Sequence, residues 1–401
     1  MRILNLKLEN FRNYNNLDLD FTPGINMIYG LNGQGKTNIV EAIYFFAVAK
    51  SHRVLKDKDL IMHNKDFAKL EIDFLNKDRD FNAKINLYSE KNRDIFVNDI
   101  KAVKNSDLIG RFNAVLFSPE DFSLIKDGPG ERRRFTDIAI SQVKPNYFIR
   151  LTEYNKVLKM KNKVLKEGLS YAGMIDIYNE KLAEIGADII FYRNKFYEFL
   201  KPISQDFHRE ISLSLDKFEI CYESCVKYDD RKNMKENIYK KLSDLKLKEL
   251  DERFCSFGIH REDVSFYING NKVKEFASQG QQRTVILILK LAQAEYMKEI
   301  TGEYPVLLLD DILSELDATR RRYFLSEIKD KQVIITATDK GSFGRRKDTK
   351  LIHINGGAVQ WKTPVFHWLA NLFAGALCLT SSATSKFIGI KSQVHALPFY
   401  D

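Results

Sequence analysis

The chain has 401 residues, 44% hydrophobic and 29% charged, with 63 Lys and Arg against 54 Asp and Glu and a formal net charge of +9. Those proportions exclude a disordered or fibrous chain and allow two or three domains with real cores. No run reaches the ~20 apolar residues of a membrane span, no signal-peptide core is present, and Cys221, Cys225, Cys255 and Cys378 fit no metal spacing, so a cytoplasmic protein with reduced thiols is expected.

The opening stretch MRILNLKLENF alternates Leu4, Leu6 and Leu8 with polar residues and predicts a strand over residues 3–8. Short strands are also predicted over 17–21, 70–74, 81–87 and 95–97, with one helix over 38–49. Ahead of that helix, an apolar run from Ile25 to Tyr29 stops at Gly30-Leu31-Asn32-Gly33-Gln34-Gly35-Lys36-Thr37. This is G-x-x-x-x-G-K-[ST] with a strand before it and a helix after it. Its glycines let successive backbone N–H groups point inward, and the new helix adds its positive end, which makes a cradle for phosphates. Lys36 supplies a cation to the β- and γ-phosphates, and the Thr37 hydroxyl is a ligand for Mg²⁺. The loop alone does not choose between kinase, GTPase, helicase and clamp.

Lysine-rich helices follow from about residue 151. Ile175, Tyr178, Leu182, Ile185, Ile189, Tyr192, Phe196 and Phe199 recur at steps of three and four, a heptad seam expected to end at Pro202. Leu151, Tyr154, Leu158 and Leu165 mark an antiparallel partner helix, with Gly168 and Gly173 in the connection. In FEICYESCVKY, Phe218, Ile220 and Tyr222 alternate as in a half-buried strand, with Cys221 and Cys225 expected as core thiols. VSFYINGNKV then reads as a hairpin turning at Asn269-Gly270.

ASQGQQRT precedes a long helix over about 281–300. Ser278 is a good N-cap, Gly280 allows close backbone approach, and together with free N–H groups they form a second anion site. The apolar strand Val306–Leu309 ends in Asp310, placed to bind Mg²⁺ directly or through water, and Asp311, placed to accept a proton from an attacking water. After Gln360 the composition shifts: both tryptophans lie there, with only Lys362, Lys386, Lys391 and Asp401 charged. Residues 361–401 read as an atypical tail, disordered or artefactual, and are assigned no function.

SQGQ resembles the ABC-family signature L-S-G-G-Q, with Ala277 for Leu and Gln279 for the first Gly. The whole series resembles the RecF family of bacterial recombination and replication-repair ATPases, relatives of the SMC proteins. The resemblance covers about residues 1–360 and is carried by LKLENFRNY (6–14), the loop at 30–37, AKSHR (49–53), VLFSPED (115–121), GERRRFTD (130–137), GIHRED (258–263), SQGQQR (278–283) and LLLDDILSELD (307–317). It implies an α/β fold: an ABC-type P-loop ATPase head built from 1–150 and 252–360, interrupted by a short helical, coiled-coil-like arm at 151–251.

By the same resemblance, Gly30 to Thr37 bind ATP with Arg12 near the nucleotide, and Lys36, Asp310 and Asp311 serve catalysis. Thr37 and Asp310 hold Mg²⁺. Ser278, Gly280 and Gln281 reach the γ-phosphate of a second copy, Asp317 faces that dimer, and Thr336 to Asp339 occupy the place of a transporter's switch histidine. Ile259 stands where the family has proline, which is expected to loosen that turn.

The implied activity is a slow, DNA-stimulated ATPase whose ATP-induced homodimer clamps single- and double-stranded DNA without base specificity, at gaps and stalled forks. The implied partners are RecO, RecR and RecA, in support of the SOS response. Arg132, Arg133, Arg134 and Lys156, Lys159, Lys161, Lys163 and Lys166 are candidate phosphate contacts. A transporter ATPase shares the three motifs but keeps its loop and signature closer together and needs a membrane partner. A nuclease of the overcoming-lysogenization type would need a metal-binding domain after the head, and the tail has no carboxylate cluster for one.

Overall fold

Alternation and continuous buried runs sort most strands into two six-stranded sheets, while Phe218–Glu223, Asp263–Ile268 and Asn271–Lys272 form a third, three-stranded one. The alternating segments form an antiparallel sheet in the order Tyr14–Asp20, Arg2–Phe11, Phe67–Asn76, Arg79–Tyr88, Asp94–Val97, Ile100–Lys101. The segments buried along nearly their whole length, Ile25–Tyr29, Ala114–Phe117, Val306–Leu309 and Val333–Ala337, form the parallel centre of the other large sheet, which must be covered on both faces. Thr349–Asn355 adds a further parallel strand beside Ile25–Tyr29, and Ala358–Gln360 closes that edge antiparallel. The computed structural model describes residues 1–360 except 78, 105–106, 169–171, 213–215 and 340–348; the tail, with Cys378, Trp361 and Trp368, lies outside the described residues.

Successive side chains of the parallel strands feed two cores. Ile28, Leu116, Leu308 and Ile334 face the helix Lys36–Val48 and the antiparallel sheet. Met27, Val115, Phe117, Leu307, Leu309 and Ile335 face the helix Gln279–Thr301 and the helices Pro129–Val143, Pro145–Glu167 and Ala172–Ser212. The phosphate loop thus leaves the middle of a sheet clamped between two packed layers.

Three local expectations are corrected. Leu4 is exposed at 40% while Ile3 is buried, because the pairing of Arg2–Phe11 with Phe67–Asn76 shifts register between Ile3 and Asn5. The long helix does not stop at Pro202 but runs to Ser212. Its apolar stripe continues past the proline through Ile203, Phe207 and Ile211, all packed on the core, and this packing outweighs the missing hydrogen bond. Cys221 is exposed rather than a core thiol: Phe218 and Ile220 take the inward positions of Phe218–Glu223, and Cys225 lies beyond that strand. The hairpin turn has φ 50° at Asn269 and 78° at Gly270, the two left-handed residues that the Asn-Gly pair favours.

The elements at 145–252 meet the rest of the chain through buried charge. Arg193, on the long helix, bonds Asp137 at 2.8 Å, Glu262 at 2.6 Å and the Ile259 carbonyl at 2.9 Å. That last bond, with Ile259 itself buried, anchors the turn that the absent proline was expected to loosen.

Candidate active site

Two glycines in the phosphate loop are there because of close approach. A Cβ on Gly30 would collide with the Ile354 carbonyl oxygen. One on Gly35, at φ 106°, would meet the Asn13 amide and the Tyr14 hydroxyl within 3 Å. Those side chains hold the turn: Asn13 Nδ2 donates to the Gln34 carbonyl at 3.0 Å, and the Tyr14 hydroxyl to the Gly35 carbonyl at 3.0 Å. From more than 300 positions on, Gly357 N–H donates to the Gln34 carbonyl at 3.3 Å and Gly356 N–H to the Gln34 side chain. Leu31, Asn32 and Gly33 remain exposed at the open face of the loop.

Lys36 is 4% exposed and donates to the carbonyls of Gly30 and Leu31 at 2.9 and 3.0 Å. An ammonium has three donors, so one hydrogen is left for an anion in the loop. Thr37 Oγ1 donates to Asp310 Oδ1 at 2.9 Å, joining the loop to the acidic strand across 273 positions. Thr336 Oγ1 donates to the same oxygen at 2.7 Å and accepts from the Asp311 N–H at 2.9 Å. Burial pushes the Asp310 carboxyl above its usual range, against the hydroxyl donors of Thr336 and Thr37, so this carboxylate gains strongly from a nearby cation.

The donor set fits magnesium: one hydroxyl and one carboxylate, with phosphate oxygens and water left to complete an octahedron. Among the described residues no group of three or more His, Cys, Asp or Glu side chains stands ready to hold a metal alone. Asp311 sits at φ 52°, a left-handed conformation that aspartate tolerates, and Ser314 Oγ donates to its carbonyl at 2.7 Å.

The stretch expected to form a second anion site begins with a capping box. Ser278 Oγ accepts from the Gln281 N–H at 3.2 Å, and Gln281 Oε1 accepts from the Ser278 N–H at 2.9 Å. Ser278 and Gln281 are exposed. Asp317 caps the next helix by accepting from the Arg320 N–H at 2.9 Å. The Arg320 side chain pairs with Asp317 and donates to Thr284 Oγ1 at 2.6 Å, and its guanidinium lies against Gly280. Signature and SELD turn are therefore one unit.

The remaining candidates have partners of their own. Arg12 makes a two-bond fork to the fully buried Glu41, at 2.7 and 2.9 Å. Burial opposes the charge of Glu41, but the Arg12 and Ser51 bonds and the charges of Arg12 and Arg53 win and hold it below the usual range. Two phosphate contacts are withdrawn. Arg132 is 7% exposed and bonded to Asp263 at 2.7 Å, and Lys161 is fully buried against Glu249 at 2.6 Å. Arg133 spends a donor on the Glu262 carbonyl. Arg134 remains exposed, as do Lys156, Lys159, Lys163 and Lys166, with Lys163 only 3.9 Å from Glu167. Asn13, Tyr14 and the Thr336 bond to Asp310 were not read from the sequence as parts of the site.

The family model described as RecF/RecN/SMC N terminal domain matches residues 2–357. A DNA replication and repair protein RecF of Clostridium perfringens is 44% identical over 364 residues, 90% of this chain and 100% of that protein. The chain belongs to the RecF family. A RecF of Alkaliphilus oremlandii is 40% identical over the same shares of the two chains. Among solved structures, the recombination mediator protein RecF-ATPrS in the RecFOR pathway superposes with a TM-score of 0.84 at 35% identity, covering 90% of this chain and 98% of that one. An Smc head bound to the C-winged helix domain of ScpA superposes at 0.53 with 16% identity, over 90% of this chain and 96% of that one; the likeness is one of fold. The RecF-family fold is thus the ABC-type ATPase head shared with SMC proteins. Among the described residues no helix is long and apolar enough to cross a membrane.

Proposed function

We propose that this chain is an ATP-dependent, sequence-independent DNA-binding protein of recombinational repair and replication. Two copies close around two ATP molecules, and the closed dimer holds DNA at single-strand gaps or junctions. The observation that carries the reading is the Thr37–Asp310 bond, which brings the phosphate loop and the acidic strand to one point. ATP would lie on residues 30–37 with Lys36 at its β- and γ-phosphates. Thr37 and Asp310 would hold Mg²⁺, which supplies charge for the terminal phosphate. Asp311 would orient and deprotonate the attacking water. The exposed Ser278 and Gln281, with Gly280 between them, would cap the γ-phosphate of the other copy, with Asp317 facing the same interface.

RecF structures solved with ATP and with ATPrS in the RecFOR pathway support the nucleotide and the pathway. Residues 1–150 and 252–360 act as the head, 151–251 as the arm. RecO, RecR and RecA are the partners in a cytoplasmic repair and SOS role, and hydrolysis is slow and DNA-stimulated.

The test is sedimentation and DNA binding with ATP, with ADP, and with Ser278→Arg. ATP dimerises the wild type and tightens DNA binding, ADP does neither, and Ser278→Arg stays monomeric while still binding ATP. A wild type that remains monomeric with ATP and binds DNA no better refutes the clamp. DNA affinity should also fall steeply with salt.

A further inference from the structure

The far end of the phosphate-loop helix lines a cavity of about 450 Å³, within the range of small-molecule sites. Tyr44, Ala47 and Val48 of that helix, with Ile138, Phe148 and Leu151, make apolar walls. Lys50, Arg134 and Asn155 stand at its exposed rim, and Ser141 and Gln142 add polar edges. Gln142 is 1% exposed; its Oε1 accepts from the Ala114 N–H at 2.9 Å, and its Nε2 has no partner among the described residues.

Phe148 also lines a neighbouring open groove of about 1130 Å³. Lys58, Lys91, Lys104 and Lys156 line that groove, are exposed and form no ion pair within 4 Å among the described residues, although Lys91 lies over the Tyr88 ring at 3.8 Å and Asp57 and Glu153 line the groove as well. Leu55 and Val103, 88% and 89% exposed, line the same groove. Four exposed lysines in one groove with exposed apolar side chains suit a single strand, whose phosphates and base faces alternate. The adjoining cavity offers what one base requires: apolar surface for its faces and amide or hydroxyl groups for its edges.

We propose that the cavity takes one unpaired nucleotide of a DNA strand whose backbone lies on the lysines of the groove. A paired base cannot enter without leaving its stack, so the site selects DNA with a single-stranded stretch. The inference rests on the DNA-binding reading above and names where unpaired DNA is recognised. Tyr44 and Val48 share one helix with Lys36 and Thr37, so the base site and the ATP site are ends of one rigid element.

The test uses the full chain with Mg-ATP and three DNAs: a blunt duplex, a gapped duplex, and the same gap built of abasic sites. Wild type should bind the abasic gap about tenfold more weakly than the normal gap, the effect of losing one held base. Asn155→Trp, at the exposed rim, should bind the normal gap as weakly as wild type binds the abasic one. Its blunt-duplex affinity and ATP-dependent dimerisation should match the wild type. Lys58→Glu/Lys91→Glu should weaken gapped binding with a shallower salt dependence.

Equal wild-type affinity for both gaps, or Asn155→Trp indistinguishable from wild type on the normal gap, overturns the proposal while leaving the clamp intact. Equal weakening of blunt and gapped binding by Asn155→Trp overturns it as well. So does displacement of gapped DNA by free deoxyadenosine monophosphate at comparable concentration, since the site would then serve free nucleotide. No ATP-dependent DNA binding by the wild type refutes the reading beneath it.

Discussion

Replacing Lys161 by Met tests whether that lysine is structural. Its ammonium and the Glu249 carboxylate are both 0% exposed and lie 2.6 Å apart, while Glu249 also accepts from the Ser256 N–H at 2.7 Å. At an effective dielectric constant near 20 the attraction at that distance is about 6 kcal/mol, close to the several kcal/mol per ion spent on desolvation. The pair is therefore near balance as a pair, and costly to break from one side. Lys161→Met should destabilise by about 3–5 kcal/mol by leaving a buried carboxylate alone.

Lys161→Met/Glu249→Gln should recover most of that loss, since glutamine still accepts from Ser256. Urea denaturation of wild type, both single variants and the double variant completes the cycle, and DNA affinity is measured on the folded fraction. Lys161→Met costing under ~1 kcal/mol with a clear loss of DNA affinity would return the lysine to the surface and refute the burial argument.

Three further outcomes are expected. Arg320→Leu unlinks Asp317 from Thr284 and should weaken the ATP-dependent dimer by about 1–2 kcal/mol, five- to thirty-fold, with ATP affinity unchanged; sedimentation with ATP reads it. Asp311→Glu extends the carboxylate by one methylene and should raise ATP turnover, by about tenfold or less; unchanged or lower turnover counts against Asp311 as the limiting base. Burial lowers the His52 pKa from 6.5 to about 4, so the folded imidazole stays neutral where the unfolded one takes a proton. Stability rises with pH between those values, and at pH 5 the deficit is about 2 kcal/mol relative to neutral pH, a slope that His52→Gln should lack.

What was legible in the sequence was local. The phosphate loop, the N-cap at Ser278, the Asn269-Gly270 turn and the acidic end of Val306–Leu309 depend on neighbours within a few residues, and all four features appear where they were read. What was not legible depended on distant partners. Arg132 finds Asp263 131 positions away and Lys161 finds Glu249 88 away, so two basic runs that look solvated each lose one member to an internal ion pair. Pro202 looked like a stop because the packing that carries the helix past it comes from other elements. Asn13 and Tyr14 lay inside a stretch already singled out, but their bonds to the loop depend on a chain reversal that the residues do not announce.

The placement of Ile25–Tyr29 has a consequence for biosynthesis. Its two sheet neighbours are Val333–Ala337 and Thr349–Asn355, so the strand that bears the nucleotide loop has no lateral partner until nearly the last described residue is made. A ribosome that has translated three hundred residues has delivered the helices at 145–252 complete, while this edge still waits, an aggregation hazard for as long as it does. Nascent chains cut short there should tether to chaperones and fail to retain ATP, whatever the quality of their glycine turn.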